Sequence, residues 1–161
     1  MQILESLAKL CAILAGVLLT TITLMTCVSL IGRNTIGLTL SGDFELTGVA
    51  AGAAIALFLP WCQLKRGNII VDFFTAKASE RTTARLDRFG ALLLALALGL
   101  LAWRTSVGAL SVREAGETTM IISLPMWWAY ACLAPGLALA GWVALVQGLS
   151  GFSSSSQEVA A

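Results

Sequence analysis

The side chains able to carry chemistry are few, and their spacing keeps them apart. The chain has no histidine, which removes the commonest general base and the commonest metal ligand. Its four cysteines, Cys11, Cys27, Cys62 and Cys132, are scattered from one end to the other. They form no CxxC pair and no ligand-like spacing, so they read as small apolar residues. A membrane thiol oxidoreductase would need cysteine pairs that this spacing does not supply. Several carboxylates sit at the borders of apolar stretches: Asp43 and Glu45 before one, Glu114 and Glu117 before another. Gly37, Gly42 and Asp43 mark one short loop, and Arg113, Glu114 and Glu117 form another. The sequence predicts no catalytic residue, no cofactor and no metal.

The elements that must position these residues are apolar helices. Of 161 residues, 58% are hydrophobic and 12% charged, against roughly 25% charged in soluble domains. A bilayer core about 30 Å thick takes roughly 20 mostly apolar residues per helix. Four stretches qualify, with spans at about 10–32, 46–64, 89–112 and 125–148. The fold expected is an all-α integral membrane protein with a single four-helix membrane domain over 1–149 and a serine-rich disordered tail over 150–161. The first run exceeds the 7–15 apolar residues of a cleaved leader, so it is expected to stay as the first helix. The net charge of +1 gives no reason to expect a nucleic-acid partner.

Small residues mark where helices should touch, because in lipid they associate by close packing and interhelical hydrogen bonds rather than by apolar burial. In the first span Ala12, Gly16 and Thr20 repeat every four residues, and Thr20, Thr23 and Thr26 offer hydroxyls to a neighbour. In the second, Gly48, Gly52 and Ala56 form a GxxxGxxxA face. In the third, Ala91, Ala95 and Gly99 do the same.

Nine of the nineteen charged residues, and six of the ten Lys plus Arg, fall between Lys65 and Arg88. Within this island Ile69, Ile70, Phe73 and Phe74 share one side of a helical wheel. A short amphipathic surface helix is expected at about 69–78, between the second and third spans, lying in the lipid headgroup plane. Arg81, Arg85 and Arg88 fall on one face of the following helix. Together Ile70, Phe73, Phe74, Arg81, Arg85 and Arg88 are the expected anchors to membrane lipids. Lys and Arg concentrate in cytoplasmic loops, which places the island and both termini in the cytoplasm. Arg33 and Glu45 then share the opposite border, where an ion pair between them or a contact with a partner is expected. Arg104 is expected near that border, with its side chain snorkelling to the interface. Pro125 suits a first helical turn, and Trp127, Trp128 and Tyr130 follow as an interfacial aromatic belt.

The order of these features resembles the small membrane subunit of TRAP transporters, the DctQ-type family. The residues that carry the likeness are Arg33-Asn34 after the first span, Glu45 at the start of the second, and Gly67-Asn68-Ile69-Ile70-Val71-Asp72 after it. They continue with Gly116-Glu117-Thr118, then Ile122 to Tyr130, then Pro135-Gly136. The resemblance covers nearly the whole chain. It implies a subunit of the bacterial inner membrane that scaffolds a large, sodium-driven transport subunit for organic acids. It also implies a part in docking a periplasmic substrate-binding protein. The expected partner contacts are Arg33, Glu45, Glu117, Trp127, Gly48 and Gly52. The alternative, a self-sufficient small multidrug-type exporter acting as a homodimer, needs a carboxylate embedded in the membrane. The first span, 10–32, contains none.

Overall fold

The computed structural model describes residues 2–37, 41–65 and 80–150. Four α-helices account for nearly all of them: α1 (Gln2–Thr35), α2 (Asp43–Leu64), α3 (Glu80–Ala115) and α4 (Trp127–Ser150). Each is long and apolar enough to cross a membrane, so the fold is all-helical with four candidate spans. The surface helix expected at 69–78, with Ile70, Phe73 and Phe74, lies outside the described residues, as does the tail beyond Ser150.

The helices outrun the apolar stretches. α1 begins two turns before Leu10, and α3 carries Arg85 and Arg88 on the same unbroken helix as its apolar residues. A helix satisfies its backbone internally, so it need not stop where the lipid does.

The four helices form a row rather than a closed bundle. α1 packs on α2, α2 on α4, and α4 on α3, while α1 touches α4 only marginally. α1 and α3 therefore stand at opposite ends. Chain order is not spatial order, because α4 inserts between α2 and α3.

α1 buries Ala8, Ala15, Ile22 and Ser29, a strict seven-residue spacing. The four-residue face Ala12-Gly16-Thr20 is not the contact: a side chain at Gly16 would meet nothing within 4 Å. Steps of seven drift only about 20° around a helix, so they stay on one line against a long neighbour. Steps of four drift about 40° at 3.6 residues per turn and leave that line sooner. The threonines do not bridge helices either. The hydroxyls of Thr20, Thr23 and Thr26 donate to the carbonyls of Gly16, Leu19 and Ile22, each one turn back on α1 itself. That acceptor is always in reach within a helix.

α2 meets α4 at Ala56, whose carbonyl lies where a Cβ on Gly136 would go. Only Gly lets the two backbones approach so closely. Along the same face of α2, Gly52 has Leu133 at 3.8 Å from its would-be Cβ, and Gly48 has open space. α4 presents small residues to its neighbours along its length. Gly136, Ala140, Gly141, Ala144 and Gly148 are all buried. A Cβ on Gly141 would come within 3.3 Å of the Gly99 nitrogen, and one on Gly148 within 3.0 Å of Leu92. Ala91 and Ala95 of α3 are buried against α4, as their spacing predicts. At the island end the Gln63 amide donates to Gln147 Oε1 at 2.9 Å, and Gln147 Nε2 returns a bond to the Gln63 carbonyl at 3.1 Å. This reciprocal pair joins α2 to α4, where each amide would otherwise face apolar surroundings.

Candidate functional site

The functional candidates collect at the end of the row opposite the island, where the α1–α2 turn meets the α3–α4 loop. Chain direction changes sharply here. Gly37, Gly42 and Gly116 all adopt positive φ, the region that glycine enters without a Cβ penalty. Gly42 immediately precedes α2, and no side chain caps that helix start. Asp43 and Glu45 occupy its first turn, where the helix dipole favours negative charge.

The α3–α4 loop is a small hairpin-like turn. Thr118 and Pro125 form an isolated antiparallel bridge. The Thr119 N–H donates to the Leu124 carbonyl at 2.9 Å, and the Met126 N–H donates to the Glu117 carbonyl at 3.0 Å. The Leu124 N–H donates to the Thr119 hydroxyl at 3.0 Å. Ser123 takes φ of 52°, a conformation uncommon for a residue with a side chain. Pro125 therefore belongs to the returning arm of this turn and not to the first turn of α4, which starts at Trp127. Having no N–H, Pro125 suits a position where only its carbonyl is called upon, here by Trp128 at 3.1 Å.

Glu45 ties this loop to α2. Its Oε1 accepts the Ile121 N–H at 2.9 Å and its Oε2 accepts the Ile122 N–H at 3.2 Å. The Met120 N–H and the Thr119 hydroxyl lie in range of the same carboxylate. A second contact stands beside it: the Ile122 side chain fills the space a Cβ on Gly42 would need. The tip is thus fixed at two points and still presents apolar side chains outward. Met120 is 98% exposed, with Ile121 and, on α2, Phe44 exposed beside it.

The ion pair expected between Arg33 and Glu45 does not form. Glu45 is instead occupied by backbone N–H groups of the loop, which need an acceptor and lie closer. Arg33 is exposed and lines an open cleft of about 420 Å³ with Ser29, Asp43 and Ile121. Within it the Ser29 hydroxyl donates to Asp43 Oδ2 at 2.6 Å, joining α1 to α2. Glu117 contributes its backbone to the loop, and its side chain stays exposed. Trp127 lies under the Arg113 guanidinium, 5.4 Å from the ring centroid, and tilts against Trp128, a cation–π contact.

The structure therefore brings Arg33, Glu45, Glu117 and Trp127 to one end. Gly48 and Gly52 lie one and two turns further along α2. Of the expected lipid anchors, Arg85 and Arg88 are exposed at the other end. Nothing is described for the side chain of Arg81. Sequence reasoning missed Ser29, Asp43, Thr119 and the Gly42–Ile122 contact. Asp43, in the first turn of α2, is the one signal the sequence offers for this contact, and by residue type it reads only as part of a loop.

Between α1 and α2 a second, apolar cleft of about 370 Å³ is lined by Ile22, Thr23, Thr26, Cys27 and Thr47. Thr47 Oγ1 is buried beside it without a hydrogen-bond partner among the described residues.

A family model described as "Tripartite ATP-independent periplasmic transporters, DctQ component" matches residues 22–153. No curated protein and no solved structure matches the chain.

Proposed function

The chain belongs to the DctQ component family of the tripartite ATP-independent periplasmic transporters, and on that premise we propose that it is the small, non-catalytic membrane subunit of a sodium-driven transporter for organic acids. In this reading it scaffolds the large transport subunit in the bacterial inner membrane and helps to dock the periplasmic substrate-binding protein. The observation that carries the docking role is the loop tip held by Glu45. A rigid apolar knob beside exposed Arg33 and Glu117 offers a preformed surface, and preformed surfaces lose less entropy on binding.

Orientation follows from charge. Six Lys plus Arg crowd the island, against Arg33 in the first loop and Arg104 and Arg113 toward the third. The island then faces the cytoplasm with both termini, and the Glu45 end faces the periplasm. Ile70, Phe73, Phe74, Arg81, Arg85 and Arg88 serve as anchors to membrane lipids. Arg33, Glu45, Glu117 and Trp127 meet the binding protein. Gly48 offers a close-packing face to the large subunit, a role supported by the open space there, whereas Gly52 already has Leu133 of α4 beside it.

The test is genetic and biochemical. Deleting this chain should abolish uptake by the transporter while the large subunit remains in the membrane, and tagged chain should recover the large subunit. Solute uptake driven by the purified chain alone in liposomes would refute the assignment.

A further inference from the structure

α3 closes one end of the row and turns one face toward α4. Ala91, Ala95, Leu98 and Ala102 are buried there. At 100° per residue, Arg104 falls on the opposite side, in line with Leu93, Leu100 and Val107, which are exposed. Arg104 is itself exposed, and makes no ion pair or side-chain hydrogen bond among the described residues. Its depth is fixed by its neighbours. Arg113, over Trp127, marks the nearer border. Arg104 lies nine residues before it, roughly 13 Å along the helix. One turn beyond Arg104, a Cβ on Gly108 would lie 3.7 Å from the ring of Tyr130 in α4, so this stretch runs beside α4 within the candidate span Arg85–Ala115.

An unpaired cation within a membrane-spanning helix is costly, and the cost rises toward the bilayer centre. Snorkelling would relieve it, but the direction is wrong. Cα–Cβ bonds tilt toward a helix's N-terminus, and the nearer border lies toward the C-terminus of α3. The side chain must double back to reach headgroups. A fixed negative charge beside the helix meets it without that reversal.

We propose that the outer face of α3, centred on Arg104 and flanked by Leu93, Leu100 and Val107, is a second surface, apart from Gly48 on α2, that packs against a transmembrane helix of the large subunit. We propose further that a carboxylate on that helix pairs with Arg104. This rests on the assignment of the chain as the small subunit.

The experiment places a photo-crosslinking amino acid at Leu100, and separately at Ile13 on the exposed side of α1, in membranes holding both subunits. It then measures recovery of the large subunit with Arg104→Glu and Arg104→Leu chains. Expected are a Leu100 adduct with a large-subunit peptide bearing Asp or Glu within one helical turn, and recovery reduced at least tenfold for Arg104→Glu. Reversing that acidic residue to Arg should restore recovery with Arg104→Glu. Adducts only with lipid, which would indicate snorkelling to phosphates, overturn the proposal. So do adducts only with a second copy of this chain, or undiminished recovery of both variants. If wild-type chain recovers no large subunit at all, the subunit assignment fails instead, and the two failures are distinguishable.

Discussion

The carboxylate of Glu45, in the first turn of α2, accepts the backbone N–H of Ile121 at 2.9 Å across 76 residues of sequence. Its other oxygen takes the Ile122 N–H, so one side chain satisfies two donors of a loop that has few partners of its own. Replacing it with alanine should free both amides. The expected result is faster hydrogen exchange at Ile121 and Ile122 in Glu45→Ala, with α2–α4 amides near Gln63 unchanged. Glu45→Gln, which keeps one acceptor oxygen, should fall between. Equal exchange in all three proteins would mean that the loop is ordered by its own bridge and not by Glu45.

Gly42 is constrained twice, by a φ of 82° and by the Ile122 side chain where its Cβ would sit. A non-glycine residue in the left-handed region costs about 1–2 kcal/mol, and the clash adds to it. Gly42→Ala should therefore lower the thermal midpoint of the purified chain. Adding Ile122→Ala should recover only the steric part. Full recovery in the double variant would assign the whole effect to the clash, and no recovery would assign it to the backbone.

The two glycine surfaces of α2 and α4 should respond in opposite ways. Gly136→Ala drives a methyl group into the Ala56 carbonyl, and overpacking of this kind costs about 1–3 kcal/mol. Gly48→Ala meets open space and should gain up to about 1 kcal/mol of helix propensity. Thermal unfolding in detergent should therefore fall for Gly136→Ala and hold or rise for Gly48→Ala. If Gly48→Ala also loses the large subunit while the isolated chain stays stable, Gly48 belongs to the inter-subunit contact. Unchanged stability in Gly136→Ala would contradict the close approach of α2 and α4.

The four spans were legible because length and hydropathy decide them locally: about 20 apolar residues can do little else in a bilayer. Ala91 and Ala95 were legible for the same reason, since their spacing fixes one face of one helix. The partner of each face was not. Ala12-Gly16-Thr20 and Ala8-Ala15-Ile22-Ser29 are both plausible stripes on α1, and only the line of α2 beside it selects the second. The order of the row was equally hidden, because nothing within α4 says that it inserts between α2 and α3. At the candidate site the sequence brought Arg33, Glu45, Glu117 and Trp127 to one border but paired the wrong groups. Opposite charges suggested Arg33 with Glu45, whereas the backbone N–H groups of residues 121 and 122 have a stronger need for an acceptor. A loop's unmet donors depend on its three-dimensional path, and the residue types do not reveal it.

Thr47 offers a prediction of the opposite sign. Its Oγ1 is buried beside the α1–α2 cleft without a partner among the described residues, whereas Thr23 and Thr26 across the cleft bond back to their own helix. An unsatisfied buried hydroxyl costs about 1–3 kcal/mol, and within a bilayer there is little water to relieve it. Valine has nearly the same shape and a similar helix propensity, so Thr47→Val removes the cost with little change in packing. The thermal midpoint of the isolated chain in lipid nanodiscs should rise. Thr26→Val serves as the control and should move it little, because the Ile22 carbonyl it releases is still engaged in the helix. A lower midpoint for Thr47→Val in the isolated chain would show that the hydroxyl has a partner after all. A rise there combined with weaker recovery of the large subunit would place that partner on the large subunit, across the α1–α2 cleft.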